Sequence, residues 1–240
     1  MHIYGIQKHS FVDFPGKISF VIFTQGCNLD CFYCHNAELI KKKKHIIQNI
    51  AACDVIEHID KRKKLIDGVV VTGGEPTIQS GLQRLLRSIK KMQLSCKLDT
   101  NGTRPELIKK IIEKKLVDFI SMDIKAPFEK YDYICGKGIQ KSLLKESIGL
   151  IIRSAPDYEF RSTVAPQIDE SDIIAIARML KGAKRYILQQ YVNPFYNKKK
   201  DLPKNSIFNT KAYSKEYIMQ CVKKVRDLGF IGECFFRGAS

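Results

Sequence analysis

The sequence predicts an α/β fold, namely a partial (open) parallel β/α barrel of about six strands with a C-terminal helical appendix. Short apolar, β-branched runs alternate with amphipathic stretches from Lys17 onward, and strands that alternate with helices form parallel sheets. The length of 240 residues suits one barrel-sized domain, but it leaves too few residues for a closed eight-stranded barrel. The expected strands are Ile18–Thr24, Val69–Thr72, Cys96–Asp99, Asp118–Asp123, Tyr158–Val164 and Arg185–Gln189.

The expected helices follow these strands and carry apolar residues at helical spacing. They cover Ile46 to about Lys63, a segment with Leu82, Leu85, Leu86 and Ile89, a segment with Leu107, Ile108, Ile111 and Ile112, and then Lys141–Ser154 and Asp172–Leu180. After Gln190 the pattern lapses, and one helix (Tyr213–Leu228) and a short apolar segment, Cys234-Phe235-Phe236, follow. We therefore expect a single domain over residues 1–240, with the barrel at about 17–190 and a C-terminal extension at about 191–240.

The chain is strongly basic, with a formal net charge of +16. That charge fits an acidic partner protein or a nucleic acid. The tight runs, Lys41–Lys44 and Lys198–Lys200, are not interleaved with aromatic residues, so solvated helix faces explain them and a nucleic-acid partner is disfavoured. No stretch approaches the roughly 20 apolar residues of a membrane span, and the first residues lack the layout of a secretory signal. A cytoplasmic protein without a membrane partner is expected.

Polar groups follow the carboxyl ends of five expected strands. In parallel barrels these ends share one rim, where active sites are built. Five polar groups at one rim favour a functional site over chance. They are Cys27, Gly73-Gly74-Glu75, Asp99-Thr100-Asn101-Gly102, Asp123-Ile124-Lys125 and Gln189-Gln190.

Three cysteines, Cys27, Cys31 and Cys34, have the spacing C-x3-C-x2-C. Thiolates held this close select zinc or an iron–sulfur cluster. A structural zinc ion needs four ligands, and no second cysteine pair of suitable spacing follows, while His35 directly adjoins Cys34 and would strain a closed site. Three thiolates on a 4Fe–4S cluster leave one iron open. The other cysteines are interpreted as small apolar residues in or near the core; they are Cys53, Cys96, Cys135, Cys221 and Cys234.

The cysteine loop, with an aromatic residue (Tyr33) before the last cysteine, resembles that of the radical S-adenosylmethionine (radical SAM) superfamily. This resemblance implies a 4Fe–4S cluster on the three cysteines, which act in catalysis through it. It also implies S-adenosylmethionine on the open iron and its reductive cleavage to a 5′-deoxyadenosyl radical. Thr72-Gly73-Gly74-Glu75-Pro76 matches the motif that contacts the amino end of that cofactor in the family, although a glycine pair alone indicates only a tight turn.

Other segments are similar to the activases of glycyl radical enzymes: Phe11–Gly16, Phe23–Asn28, Cys34–Asn36, Asp99–Gly102 and Asp123–Lys125. By this resemblance Lys125 pairs with the cofactor carboxylate, and Tyr33, His35, Asp123 and Arg161 also contact the cofactor. Asp99, Thr100 and Asp123 are candidate ligands of a monovalent cation, since such ions prefer oxygen donors. Loop and helix capping explains Asp99 equally well.

One departure narrows the choice of partner. Leu188-Gln189-Gln190-Tyr191 stands where the pyruvate formate-lyase activating enzyme has a Pro-Tyr-His-like segment. The resemblance therefore implies a glycyl radical on an anaerobic ribonucleoside-triphosphate reductase as the product, with a flavodoxin- or ferredoxin-type electron donor. The alternatives are an activase of the pyruvate formate-lyase type, a radical enzyme acting on RNA or a small molecule, and a non-catalytic iron–sulfur or zinc module.

Overall fold

The computed structural model describes residues 1–34, 49–193 and 211–238. Its strands are Ile3–Ser10 (β1), Ser19–Thr24 (β2), Gly68–Gly73 (β3), Ser95–Thr100 (β4), Phe119–Asp123 (β5), Tyr158–Val164 (β6), Arg185–Gln190 (β7) and Glu233–Arg237 (β8). Its helices are Ala52–Asp60 (α1), Leu82–Lys91 (α2), Pro105–Glu113 (α3), Tyr131–Cys135 (α4), Lys141–Ser154 (α5), Glu170–Met179 (α6) and Lys215–Asp227 (α7). Among these described helices, none has the length and apolar character needed to cross a membrane.

The strands follow one another through the sheet in chain order, and the sheet is mostly parallel and does not close. The predicted fold class, an open parallel β/α barrel, is therefore confirmed. The chain divides into two compact units. Unit 1 comprises Met1–Asn28, Asn36–Met122 and Gln140–Tyr158, and unit 2 comprises Leu29–His35, Asp123–Ile139 and Glu159–Ser240.

Unit 1 is built on four mostly buried strands, β2 to β5, with the more exposed β1 beside them. The strand β1 is antiparallel to β2, whereas β2–β3, β3–β4 and β4–β5 are parallel pairs. The run Val69–Val71 in β3 is fully buried, as expected for a parallel strand covered on both sides. The helix α2 buries one stripe of apolar residues, comprising Leu82, Leu85, Leu86 and Ile89.

One row of in-register residues crosses four strands of unit 1. Val21 pairs with Val70, Val70 with Lys97, and Lys97 with Phe119. Partners in register point to the same face of a sheet. Val21, Val70 and Phe119 form an apolar cluster with Phe14, so the lysine lies on the same face as an apolar core.

Unit 2 contains the parallel pairs β6–β7 and β7–β8. The helix α6 begins with a capping box, in which Asp169 accepts from the backbone N–H of Asp172 and the Asp172 side chain accepts from that of Asp169. On β8, the Arg237 guanidinium binds both carboxylate oxygens of the buried Glu159 at 2.9 and 2.8 Å. This bidentate pair connects the last strand to β6.

The six predicted strands all form, and each of their ends lies within one residue of the predicted position. The strands β1 and β8 were not predicted. The C-terminal extension was expected to be helical, but its apolar segment forms β8 and pairs with β7. The first predicted helix is shorter within the described residues, since α1 begins only at Ala52, and residues 46–48 lie outside the described range.

Candidate functional site

The glycine pair after β3 lies directly against the backbone that precedes Cys27. Gly74 N donates to Thr24 O and Glu75 N donates to Gly26 O, both at 2.8 Å. A Cβ atom on Gly74 would lie 2.0 Å from Gly26 O, and Gly73 has a φ of +115°. Only glycine fits both positions, because a side chain at Gly74 would collide with Gly26 and the positive φ of Gly73 disfavours any other residue.

Glu75 binds four donors of unit 1. Its Oε1 accepts from Thr77 N at 3.0 Å, from the Thr77 hydroxyl, and from the Thr100 hydroxyl at 2.8 Å. Its Oε2 accepts from Asn101 N at 2.7 Å. The side chain is buried, and burial raises the pKa of Glu75 while these hydrogen bonds act in the opposite direction. The carboxyl group therefore holds the loop after β4 in place.

Cys27 lies beside the loop after β4. Its Sγ is 3.8 Å from Asn101 Nδ2, and the same amide donates to Asn28 Oδ1 at 3.0 Å. Asn101 in turn accepts from the Thr103 hydroxyl at 2.7 Å. An N–H donor directed at a sulfur stabilises its thiolate form, which is the form that binds metals.

Asp99 forms an ion pair inside unit 1. Lys97 Nζ lies 2.6 Å from Asp99 Oδ1, and the lysine side chain is only 1% exposed. The neighbouring Thr100 hydroxyl, besides donating to Glu75, accepts from Gly102 N at 3.1 Å. Asp99 and Thr100 are consecutive in β4, so their side chains point to opposite faces of the strand, and both have protein partners.

In unit 2, the segment around Cys31 lies against the end of α4. Asp30 N donates to Cys135 O at 2.9 Å and Phe32 N donates to Ile134 O at 3.3 Å. The pKa of Cys31 lies below its ordinary value, mainly because hydrogen bonding by the Cys135 side chain favours the thiolate. Burial opposes that effect, and the positive charge of Lys125 supports it. Cys34 N also donates to Cys31 O, at 3.1 Å.

Asp123 receives two cations of unit 2. Arg161 Nε lies 2.8 Å from its Oδ1, and Lys125 Nζ lies 2.8 Å from its Oδ2. Although burial acts in the opposite direction, the two cations hold the pKa of Asp123 well below its usual range. Burial would lower the pKa of Lys125, but the negative charge of Asp123 keeps it above its usual range. All three groups are therefore charged at neutral pH.

Two tyrosines complete the group around Lys125. The Tyr33 hydroxyl donates to Lys125 O at 3.3 Å, and Lys125 N donates to the Tyr131 hydroxyl at 3.1 Å. Tyr33 is 3% exposed, and burial raises its pKa. The predicted cofactor contact His35 lies outside the described residues.

The predicted site residues thus fall into two groups, one in each unit. Unit 1 brings together Cys27, Gly73, Gly74, Glu75, Asp99 and Thr100, and unit 2 brings together Cys31, Cys34, Tyr33, Asp123, Lys125 and Arg161. The roles of Lys97, Tyr131 and Cys135 were not predicted from the sequence. Cys96, Cys135, Cys221 and Cys234 are buried, as predicted, but the prediction was wrong for Cys53, which is exposed.

The donor chemistry of the motif cysteines fits an iron–sulfur cluster. Cys27, Cys31 and Cys34 form no disulfide bonds and are partly exposed. In the described part of the chain, no three His, Cys, Asp or Glu side chains already form a preassembled metal site. The fit therefore depends on the sulfur ligands themselves and on the groups that favour the thiolate of Cys31.

Comparison with known proteins identifies a family. Residues 21–180 match the model of the radical SAM superfamily. A protein of Methanocaldococcus jannaschii that carries the provisional name of a glycyl-radical enzyme activating enzyme is 36% identical to this chain over 194 residues. The match covers 78% of each chain. A pyruvate formate-lyase-activating enzyme of Staphylococcus aureus is 32% identical over 106 residues, 42% of this chain and 41% of that protein.

Solved structures share the fold at low identity. SuiB of Streptococcus suis, bound to its precursor peptide, has a TM-score of 0.70 at 13% identity. The match covers 91% of this chain but only 48% of SuiB. A domain of a pyruvate-formate lyase-activating enzyme from Bacteroides vulgatus has a TM-score of 0.55 at 18% identity, over 71% of this chain and 99% of that domain. The cofactors of the superfamily are a 4Fe–4S cluster and S-adenosylmethionine. The chain is an enzyme that belongs to the radical SAM superfamily and, within it, to the glycyl-radical enzyme activating enzymes.

Proposed function

We propose that this enzyme generates a glycyl radical on an anaerobic ribonucleoside-triphosphate reductase, working as a single domain. The observation that carries the proposal is the pair Gln189-Gln190, which ends β7 and replaces the Pro-Tyr-His-like segment of the pyruvate formate-lyase type. Gln190 Nε2 donates to Tyr213 O at 3.1 Å, so one of the two glutamines also fastens the C-terminal segment of unit 2.

Pyruvate formate-lyase is the second candidate partner. It is favoured by the 32% identity to the Staphylococcus aureus pyruvate formate-lyase-activating enzyme. Activases of different glycyl radical enzymes share one chemistry, so the choice between partners depends on surface residues rather than on the cofactor site.

We assign the cluster to Cys27, Cys31 and Cys34. When bound, the cluster and S-adenosylmethionine together supply the radical that abstracts a hydrogen atom from a backbone glycine of the partner. The chain's own contribution is to hold the ligands as thiolates. The Asn101 amide stabilises the thiolate of Cys27. Cys135 and Lys125 stabilise the thiolate of Cys31.

The cofactor contacts are proposed for backbone and charged groups. Gly73 and Gly74 are proposed to contact the amino end of S-adenosylmethionine through their backbone, and Glu75 fixes this turn. Lys125, the proposed partner of the cofactor carboxylate, is already positioned by Asp123, which Arg161 also binds. Tyr33 and His35 flank Cys34 in the sequence and are proposed to contact the cofactor as well.

A monovalent cation bound by Asp99, Thr100 and Asp123 is also proposed. The existing ion pairs of the two aspartates would oppose its binding. Asp99 is paired with Lys97, and Asp123 with Lys125 and Arg161. A cation would have to compete with these fixed ammonium and guanidinium groups. We therefore expect cofactor binding to change little when sodium replaces potassium or when both are replaced by a bulky organic cation.

The protein partner is proposed to dock near a cavity of about 560 Å³ in unit 1. The cavity is lined by segments that follow β3 and β4, and it carries the basic side chains Arg104 and Lys110. Both residues are exposed, so they suit an acidic partner surface. We propose a flavodoxin- or ferredoxin-type protein as the electron donor.

The test is anaerobic incubation with reductant, S-adenosylmethionine and each purified candidate partner, followed by electron paramagnetic resonance. We expect a glycyl doublet on the reductase and none on pyruvate formate-lyase. The reverse pattern would show that pyruvate formate-lyase, rather than the reductase, is the partner. Signals on neither protein, with cleavage of S-adenosylmethionine intact, would reject both partners.

Variants of the three ligands serve as controls for this assay. Cys27→Ala, Cys31→Ala and Cys34→Ala should each lose iron and sulfide after reconstitution, whereas Cys53→Ala, at an exposed position, should keep both. Full iron content in any of the three ligand variants would show that the ligand assignment is wrong.

A further inference from the structure

The short segment after β5 is held in place by side-chain hydroxyl groups. The strand ends at Asp123, and the peptide group that follows next but one joins Ile124 to Lys125, the proposed partner of the cofactor carboxylate. Ile124 is buried, so solvent has almost no access to its backbone groups. Buried backbone N–H and C=O groups need partners inside the protein, and those partners decide how firmly Lys125 is placed.

Both polar atoms of the Ile124–Lys125 peptide group are hydrogen-bonded to hydroxyl groups. The Ser162 hydroxyl donates to Ile124 O at 2.6 Å, and Lys125 N donates to the Tyr131 hydroxyl at 3.1 Å. Both of these side chains are buried. The preceding N–H, that of Ile124, donates to Arg161 O at 2.8 Å. A peptide group that is bonded at its oxygen and at its nitrogen cannot rotate without losing a hydrogen bond.

A second hydroxyl group, on β7, supports that of Ser162 on β6. The Tyr186 hydroxyl donates to Ser162 Oγ at 2.9 Å, and the tyrosine side chain is fully buried. A serine hydroxyl has one proton to donate. Because Ser162 gives that proton to Ile124 O, it can only accept from Tyr186. The hydrogen bonds therefore form a chain from Tyr186 through Ser162 to Ile124 O, in which each bond polarises the next.

The Lys125 side chain is consequently fixed at both ends. Its backbone is set by the hydroxyl groups, and its Nζ lies 2.8 Å from Asp123 Oδ2. A lysine side chain has many rotamers, and ordering it during binding reduces the affinity for a ligand. A lysine that is ordered beforehand avoids part of this cost.

We propose that Ser162 and Tyr186 are positioning residues, which act through the Ile124–Lys125 peptide group and orient Lys125 toward the carboxylate of S-adenosylmethionine. The inference rests on the role of Lys125 in the proposed function, and neither hydroxyl group needs to touch the cofactor. A purely structural role of the two hydroxyl groups would have a different consequence. Their removal would then lower stability and leave the affinity for the cofactor unchanged.

The test is calorimetric titration of reconstituted protein with S-adenosylmethionine, without reductant or partner and at equal iron content. Ser162→Ala removes the donor to Ile124 O and should weaken the affinity about tenfold. Tyr186→Phe keeps the ring and removes only the hydroxyl group, so we expect a loss of about threefold. The control Val225→Ala creates a cavity beneath α7; it should lower the free energy of unfolding and leave the affinity unchanged.

A double variant shows whether the effect passes through Lys125. If it does, Ser162→Ala should cost no further affinity in a Lys125→Ala background. An equal loss in both backgrounds would overturn the proposal, as would unchanged affinity in both Ser162→Ala and Tyr186→Phe. If Ser162→Ala does not retain its cluster, Tyr186→Phe decides by the same criteria. Unchanged affinity in Lys125→Ala alone would instead show that the proposed role of Lys125 is wrong, and the role of the two hydroxyl groups with it.

Discussion

Replacing Lys97 by methionine should destabilise the protein strongly. The lysine side chain is 1% exposed and its Nζ lies 2.6 Å from Asp99 Oδ1, while the Asp99 side chain is 12% exposed. Lys97→Met keeps most of the side-chain volume but leaves a buried carboxylate without its nearest cation. Breaking a buried ion pair from one side costs about 3–5 kcal/mol, because the remaining charge is neither solvated nor paired.

A second lysine–aspartate pair of unit 1 provides a matched control. Lys90 Nζ lies 2.8 Å from Asp118 Oδ1, but the two side chains are 32% and 41% exposed. Water can solvate the remaining carboxylate there, so Lys90→Met should cost no more than about 1 kcal/mol. The two variants differ mainly in burial, and their difference isolates the contribution of desolvation.

The measurement is equilibrium urea unfolding under anaerobic conditions, followed by circular dichroism, for the wild type and both variants. The double variant Lys97→Met/Asp99→Asn should recover part of the loss, because it also removes the charge of the buried carboxylate. If Lys97→Met loses no more free energy of unfolding than Lys90→Met, the buried pair does not matter for stability and the reasoning fails.

Three other perturbations test separate features. Gly74→Ala should displace the backbone before the cysteine loop and reduce iron content after reconstitution, whereas Gly5→Ala, with nothing within 4 Å of the new Cβ, should not; equal iron content would contradict the close contact. Asp123→Asn should lower the free energy of unfolding by about 1–3 kcal/mol at pH 7. Because the pKa of Asp123 is depressed in the folded state, this difference from the wild type should shrink as the pH falls below the ordinary value of 3.8. A difference that grows on acidification would contradict the ion-pair assignment. Lys110→Glu should slow radical transfer to the partner by about tenfold at low salt, without changing S-adenosylmethionine cleavage in the absence of partner. The control Lys109→Glu lies outside the cavity lining and should leave the rate of radical transfer unchanged. Equal effects of the two variants would reject the docking surface.

The strands β2 and β3 could be predicted from the sequence because each is an apolar, β-branched run. Such runs are buried on both faces and stand out from amphipathic helices. The strand β1 has no such signal, since it combines Gly5 with exposed residues such as Gln7 and Lys8. The strand β8 has five residues, of which the carboxyl-terminal one is an arginine, so its pairing with β7 could not be read from local composition.

The cysteine motif could be located from spacing, but its surroundings could not. Lys97 is one of many lysines in a basic chain, and only the register of β4 shows that it faces an apolar core. Cys135 is similarly inconspicuous, because its relation to Cys31 arises from long-range backbone pairing. One signal was available for Lys97: a charged residue two positions before Asp99 lies on the same side of a strand.

The division of unit 2 along the chain bears on how the protein matures during synthesis. The segment Leu29–His35 belongs to the same compact unit as Asp123–Ile139 and as everything from Glu159 onward. During translation, Cys31 leaves the ribosome long before α4, whose carbonyl groups bind its neighbours. The buried Glu159 binds Arg237, which is synthesised 78 residues later. Domains fold as units once their residues are available, so the cysteine loop should become competent to receive iron only after β8 has been synthesised. A ribosome-bound nascent chain that stops before β8 should therefore take up iron less readily than the released protein.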